Sequence, residues 1–519
     1  MILPTVTQHA TNHRAPRWLV ATLLLWLAAC SDDPDSTNDA EQSGPVVTDD
    51  NRDASVSRAD AATSSKDAAS PSESDASEPE TASRVQDSRT FVYDEAMAEF
   101  AALDGFATDR FWGVLDGAGY QIEVPEKWNG ILVMYAHGYA GTGEALRITT
   151  PGIRRHLVEN GYAWAASSYT KNYYDVRAGV EDTNKLALAF KQIAADNGRE
   201  LEEPTKRYLI GHSMGGHVTA AAIEKEASTT AANKVRYAGA VPMCGVVGDT
   251  ELFNYFAAYQ YAAQSLAGIE PTRTPAEFMA IRMQLRDALF TTYPTETTPA
   301  GDKVKTIVES LTGGARPNFA IGFASMQWQD AVWNAFGGDG TINGILSKPV
   351  IDTRKIVYQL DRDPAQSDEE RTFNEDVFRA EPAPDANAVL SDGVRFIPVV
   401  NGEIDIPVVS LHTLGDLYVP FKMEQVYRER VDAKGNGDYL VQRAIRGTGH
   451  CDFTLAEQIA AFDDMAHWEQ DGVKPEGDEV LDLEVVASPD YGCKFSINEY
   501  TEAEQATVAV ARKAVPACP

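Results

Sequence analysis

The chain has 519 residues, with 45 Lys+Arg against 77 Asp+Glu, a formal charge of −32 and 44% apolar residues. That apolar content excludes a mostly disordered protein, since it can fill a large core. The acid excess argues against DNA or RNA as a partner and against polybasic docking on anionic lipid, both of which need concentrated Lys and Arg.

Residues 1–29 read as an export signal. Arg14 and Arg17 precede a largely apolar run, Trp18 to Ala29. Twelve residues are too few to span a bilayer, which takes about 20. The sequence Leu27-Ala28-Ala29-Cys30 resembles the lipobox of bacterial lipoproteins. That resemblance implies cleavage before Cys30 and lipidation of its thiol, with several acyl chains giving a stable membrane anchor. Ser31, not Asp, follows the cysteine. In such lipoproteins this favours passage to an outer membrane, so an extracytoplasmic, membrane-anchored protein is expected.

Residues 30–88 read as an acidic tether rich in Ser, Ala and Asp. From Ser31 to Ser88 there is no aromatic residue, and 15 acids stand against Arg52, Arg58, Lys66 and Arg84. Such a stretch cannot bury enough apolar area to offset the entropy of ordering it. It carries −11, the signal carries +2, and residues 89–519 carry the remaining −23.

In residues 89–519 apolar segments alternate with helical stretches, the pattern of an α/β fold with a mostly parallel sheet and helices on both faces. Phe111 to Val124 predicts an opening hairpin turning at Asp116-Gly117-Ala118-Gly119. Strands are then predicted over 131–136, 162–168, 208–210, 237–242, 406–411 and 439–445, as buried parallel strands read as unbroken apolar runs.

Directly after Ile210 comes Gly211-His212-Ser213-Met214-Gly215-Gly216, leading into a helix predicted over Met214 to Glu226. Strand, Gly, Ser, Gly, helix is the layout of a nucleophile elbow; a structural glycine-rich turn is the plainer alternative. A Ser hydroxyl needs a base and a group to orient that base. Among nine histidines, His9 and His13 leave with the signal, and His212 and His217 are tied to the elbow. His137 and His412 end strands, while His156 and His467 sit in helical stretches. His450 stands on a Gly-rich loop past the last strand, where such a base belongs. Asp416, at the carboxyl end of the strand over 406–411, is the candidate orienting acid. An Asp beside Gly also serves as a turn former. Asp405 is at the wrong end of that strand.

The elbow at Ser213, the loop Gly415-Asp416-Leu417-Tyr418-Val419-Pro420 and Gly449-His450 resemble the α/β-hydrolase superfamily. The order Ser213, Asp416, His450 matches that superfamily's version of the triad. His137-Gly138-Tyr139 resembles its oxyanion loop, which implies that the backbone N–H groups of Tyr139 and Met214 hold the oxyanion. His137 then either braces that loop or is simply a packed histidine. The resemblance spans roughly residues 110–475. Ser213 to Asp416 spans 203 positions, far more than two strand–helix units need. The excess, residues 252–401, is expected to be a helical cap. Phe253, Tyr255, Phe256 and Tyr259 either line a substrate pocket or pack between cap helices. Asp361-Arg362-Asp363 with Asp368 lacks the turn Gly of a calcium loop and is rejected as one.

With Cys30 lipidated, Cys244, Cys451, Cys493 and Cys518 remain, and pairing is expected in an exported protein. Four cysteines allow three connectivities. Cys244 and Cys451 both belong at the catalytic edge of the sheet, so the expected pairs are Cys244–Cys451 and Cys493–Cys518. Tannase-like enzymes also bridge a cysteine that follows the catalytic histidine, but their partner precedes the nucleophile, where this chain has His212.

The expectation is a lipid-anchored serine hydrolase of small-molecule or polymeric carboxylic esters, with no metal or organic cofactor. A serine peptidase of the same fold and a non-catalytic surface-binding lipoprotein are the alternatives.

Overall fold

A computed structural model of the chain describes residues 88–518 except 273, 336–345, 347 and 392. The expected signal, the expected lipidation site at Cys30 and the expected tether up to residue 87 lie outside the described residues. Among those described, no helix is long and apolar enough to cross a membrane.

The main sheet contains β1 (Thr108–Leu115), β2 (Ala118–Pro125), β3 (Ile131–Ala136), β4 (Ala163–Ser167), β5 (Lys206–His212), β6 (Gly239–Met243), β7 (Val408–Thr413) and β8 (Leu440–Ile445). Its strand order is β8-β7-β6-β5-β3-β4-β2-β1. The pairs from β4 to β8 are parallel, while β2 runs antiparallel to both β1 and β4. This is the α/β-hydrolase fold. The opening hairpin turns on two residues, Asp116 and Gly117, both at positive φ (49° and 91°). Positive φ at both central positions is what a two-residue hairpin turn requires.

Each central strand feeds two cores because its side chains alternate between the faces of the sheet. Leu132, Met134 and Ala136 of β3 join one core, and Val133 and Tyr135 join the other. The first core is covered by α2 (Val176–Asp196) and α3 (Met214–Ala222), the second by α1 (Arg154–Glu159) and the long helix Leu455–Asp471. The elbow helix ends at Ala222, short of the predicted Glu226, and a second helix runs Lys225–Thr230. The break has a cause. Glu224 is buried and accepts the N–H groups of Gly402 and Glu403 at 2.7 and 2.9 Å, which turns the chain away from the helix axis.

On β2, Glu123 is fully buried. It accepts from Arg154 Nε at 2.6 Å, Trp164 Nε1 at 2.8 Å and Thr108 Oγ1 at 2.8 Å. Removing the cation would strand a buried carboxylate, which costs about 3–5 kcal/mol. Arg154→Ala is therefore expected to lower the urea midpoint by that amount of stability, read by circular dichroism. Arg154→Lys should recover part of the loss.

Between β6 and β7 the chain builds α4 (Glu251–Leu266), α5 (Pro275–Leu289), α6 (Pro299–Leu311), α7 (Met326–Asn334) and a further helix over Asp368–Asp376, among shorter pieces. Phe253, Tyr255, Phe256 and Tyr259 of α4 are all buried. Tyr255 donates to Leu417 O, which ties α4 to the loop after β7, and Tyr259 donates to Gln329 Oε1 of α7, which packs helices of the insertion against each other. The rejected calcium loop is a pair of Asx turns: Asp361 and Asp363 accept the N–H groups of Asp363 and Ala365. After β7 the helix Lys422–Ala433 is buried along Met423, Tyr427 and Val431, which join the first core.

Candidate active site

Ser213 sits between β5 and α3 at φ 59°, ψ −122°, a conformation that costs about 1–3 kcal/mol for a residue with a side chain. Backbone crowding imposes it. A Cβ on Gly215 would lie 2.0 Å from Ala136 O, and one on Gly211 would lie 2.3 Å from Gly215 O. Strands and helix thus meet at backbone contact, and the serine is left at the apex. Its N–H donates to Met243 O at 3.0 Å, which ties the apex to β6.

Asp416 follows β7 and is fully buried. Its Oδ1 accepts the N–H groups of Tyr418 and Val419, each at 2.9 Å. Its Oδ2 lies 2.6 Å from His450 Nδ1, and His450 Nε2 lies 2.7 Å from Ser213 Oγ. The loop carrying His450 is held at several points. Thr413 Oγ1 donates to Gly449 O at 2.7 Å, Thr448 N–H donates to Asp452 Oδ2 at 2.8 Å, and Cys451 is bonded to Cys244. A second disulfide joins Cys493 to Cys518.

The remaining histidines are engaged elsewhere. His212 accepts from Tyr135 OH and donates to Gln458 Oε1, and burial pushes its pKa down to about 4. His217 lies between Tyr174 OH and Pro398 O, and His156 pairs with Asp463. His467 is exposed on the Leu455–Asp471 helix.

His137 is buried, and burial lowers its pKa, leaving a neutral ring. The ring stacks on Tyr169 at 4.0 Å, Nδ1 donates to Gly138 O at 2.7 Å, and Tyr169 OH donates to His137 O. It therefore both packs and braces the 137–139 loop. A Cβ on Gly138 would lie 3.3 Å from Ser213 Cβ, so this loop runs directly beside the serine. Met214 opens α3, whose first N–H groups have no acceptor within the helix.

One neighbour was invisible in the sequence. Trp328 of α7 meets the His450 ring edge-on at 5.8 Å, and Tyr418 meets it at 5.6 Å. Nothing in local pattern marks Trp328, because 122 positions separate it from His450. Among the described residues, Cys244, Cys451 and His450 cluster at metal-like spacing. The two sulfurs are bonded to each other, which removes them as thiolate ligands.

No family model matches the chain. It is similar to an o-phthalyl amidase from Xanthobacter agilis, 24% identical over 69% of this chain and 86% of that protein. Among solved structures it is similar to feruloyl esterase B from Aspergillus oryzae, at 15% identity and TM-score 0.39, covering 71% of this chain and 82% of that one. It is also similar to tannin acyl hydrolase from Aspergillus niger, at 12% identity and TM-score 0.39, covering 71% and 79%.

Proposed function

We propose that the chain is an exported serine hydrolase that cleaves carboxylic esters through an acyl-enzyme. The observation that carries this reading is the relay Ser213 Oγ, His450 Nε2, His450 Nδ1, Asp416 Oδ2, with its contacts of 2.7 and 2.6 Å. Ser213 Oγ attacks the carbonyl carbon while its proton passes to His450 Nε2. Asp416 holds the imidazole in the tautomer that leaves Nε2 free to accept, and offsets the imidazolium that forms. The N–H groups of Tyr139 and Met214 take the oxyanion. His450 returns the proton to the leaving alcohol, and water repeats the sequence on the acyl-enzyme.

Two disulfides support an oxidising, extracytoplasmic setting. The lipid anchor at Cys30, the tether over 30–88 and a cap over 252–401 belong to the same proposal and rest on the sequence. Amide cleavage is the second reading, favoured by the amidase among the relatives. It uses the same residues with an amine as leaving group.

A fluorophosphonate probe tests the reading. The wild type is expected to label covalently and Ser213→Ala to stay unlabelled; an unlabelled wild type would sink the proposal. Matched aryl esters and anilides then separate esterase from amidase by the ratio of their kcat/KM values.

A further inference from the structure

Beside Asp416 lies a second buried histidine that the proposed reaction does not use. His412 is on β7, four residues before Asp416, and has no exposed surface. Its Nε2 donates to Val419 O at 2.7 Å and lies 3.9 Å from Asp416 Oδ2. Val419 N–H in turn donates to Asp416 Oδ1. One residue thus ties the imidazole to the carboxylate. On its other edge, His412 Nδ1 lies 3.4 Å from Glu424 Oε1, an ion-pair distance.

Glu424 is also buried. Its Oε1 accepts from Ser410 Oγ and its Oε2 from Gln442 Nε2, both at 2.6 Å. As a carboxylate Glu424 is an acceptor only. With Nε2 committed as a donor, a neutral His412 would turn its Nδ1 lone pair toward that anion. A proton on Nδ1 converts the repulsion into attraction. Burial works against that proton, yet Glu424 and then Asp416 outweigh it and raise His412 above the ordinary imidazole value.

The other groups facing this cluster are accounted for. Arg316, from the insertion, donates Nε–H to Leu414 O at 2.9 Å and acts on Asp416 as a cation; burial lowers its pKa only to about 10. Tyr255 and Tyr418 face Asp416, while Tyr427 and Tyr491 face Glu424, and burial keeps all four phenols protonated. His450 bonds to Asp416, and Phe421 packs edge-on against the His412 ring. Two buried carboxylates therefore share this interior with Arg316 and His412.

We propose that His412 is a positioning residue, an imidazolium held between Asp416 and Glu424 that keeps the Asp416 turn closed and its carboxylate aimed at His450. The proposal rests on the Ser213–His450–Asp416 reading. Removing the cation acts in one direction on both partners. Asp416 takes up a proton more readily as pH falls, and the His450 imidazolium is less disfavoured. Both effects move the acid limb of kcat/KM to higher pH. A purely structural role would lower the rate equally at every pH.

The test measures kcat/KM on an aryl ester from pH 5 to 9 for the full chain, His412→Gln and Glu424→Gln. In His412→Gln the new side-chain amide can still donate to Val419 O, so the turn keeps its bond and loses the charge. In His412→Gln the acid midpoint should rise by about half a pH unit or more, a loss of about threefold or more at pH 5.5 and little at pH 8; Glu424→Gln, which removes an anion together with the support for the His412 proton, should shift it in the same direction by less. An unmoved midpoint, or a loss uniform in pH, overturns the proposal. Should the variants not fold, 15N NMR of the histidine-labelled wild type decides at pH 7.5. A slowly exchanging ring protonated on both nitrogens supports the proposal, and its absence overturns it. That signal needs no turnover, whereas the fluorophosphonate label reports the serine, so failure of either idea is visible separately.

Discussion

Ser213→Ala is expected to lower kcat by about 10⁶ while leaving the fold intact, because in the proposed relay serine, histidine and acid act as one unit. Alanine has much the same backbone preferences as serine at φ 59°, so the elbow strain is unchanged. Circular dichroism and thermal melting should therefore match the wild type. Asp416→Asn should cost about 10⁴ in kcat, because the amide invites the wrong imidazole tautomer. The Asn would also keep one oxygen for the Tyr418 and Val419 N–H groups, so the turn survives. Adding His450→Ala to Ser213→Ala should cost little more, since the relay is already broken. Additive losses in that double variant would show that the residues work independently and would overturn the relay.

Removing the Cys244–Cys451 disulfide is the second large effect. It closes a loop of 207 residues, against 25 for Cys493–Cys518. Chain entropy puts the longer closure at about 5 kcal/mol and the shorter at about 3–4 kcal/mol, as upper values. For a domain of this size that is a fall in Tm of roughly 5 °C for Cys244→Ala/Cys451→Ala. The two bonds should differ more sharply in activity. Cys451 adjoins His450 and holds φ 57°, and Cys244 N–H donates to Leu411 O at 2.8 Å beside the strand that ends before Asp416. Freeing Cys451 lets the His450 loop drift, and displacement of about 1 Å can cost about 10²-fold in rate. Cys493→Ala/Cys518→Ala should lose stability and keep kcat. If kcat is unchanged in the Cys244/Cys451 variant, the disulfide has no role in holding the base.

The sheet was legible because its signals are local. Apolar runs marked the core strands to within one or two residues at most ends, most cleanly at β3. The elbow helix stops four residues before its expected end because that end depends on Glu224 reaching Gly402 and Glu403, about 180 positions away. Cys244 and Cys451 could be paired from sequence because both follow a strand end, and parallel neighbours bring such ends to one edge.

Ser213, Asp416 and His450 could be nominated from sequence alone because each lies just past a strand's carboxyl end in a Gly-containing turn. The separations in the relay could not, since they come from strand register and from the loops that clamp His450. The same holds for Trp328 and His412. A tryptophan in a helical insertion and a histidine ending a strand carry no local mark of function. Sequence specifies short-range conformation through φ/ψ preference and apolar period. Which side chains share a buried site, and with what charge, is decided only when distant segments pack and exclude water.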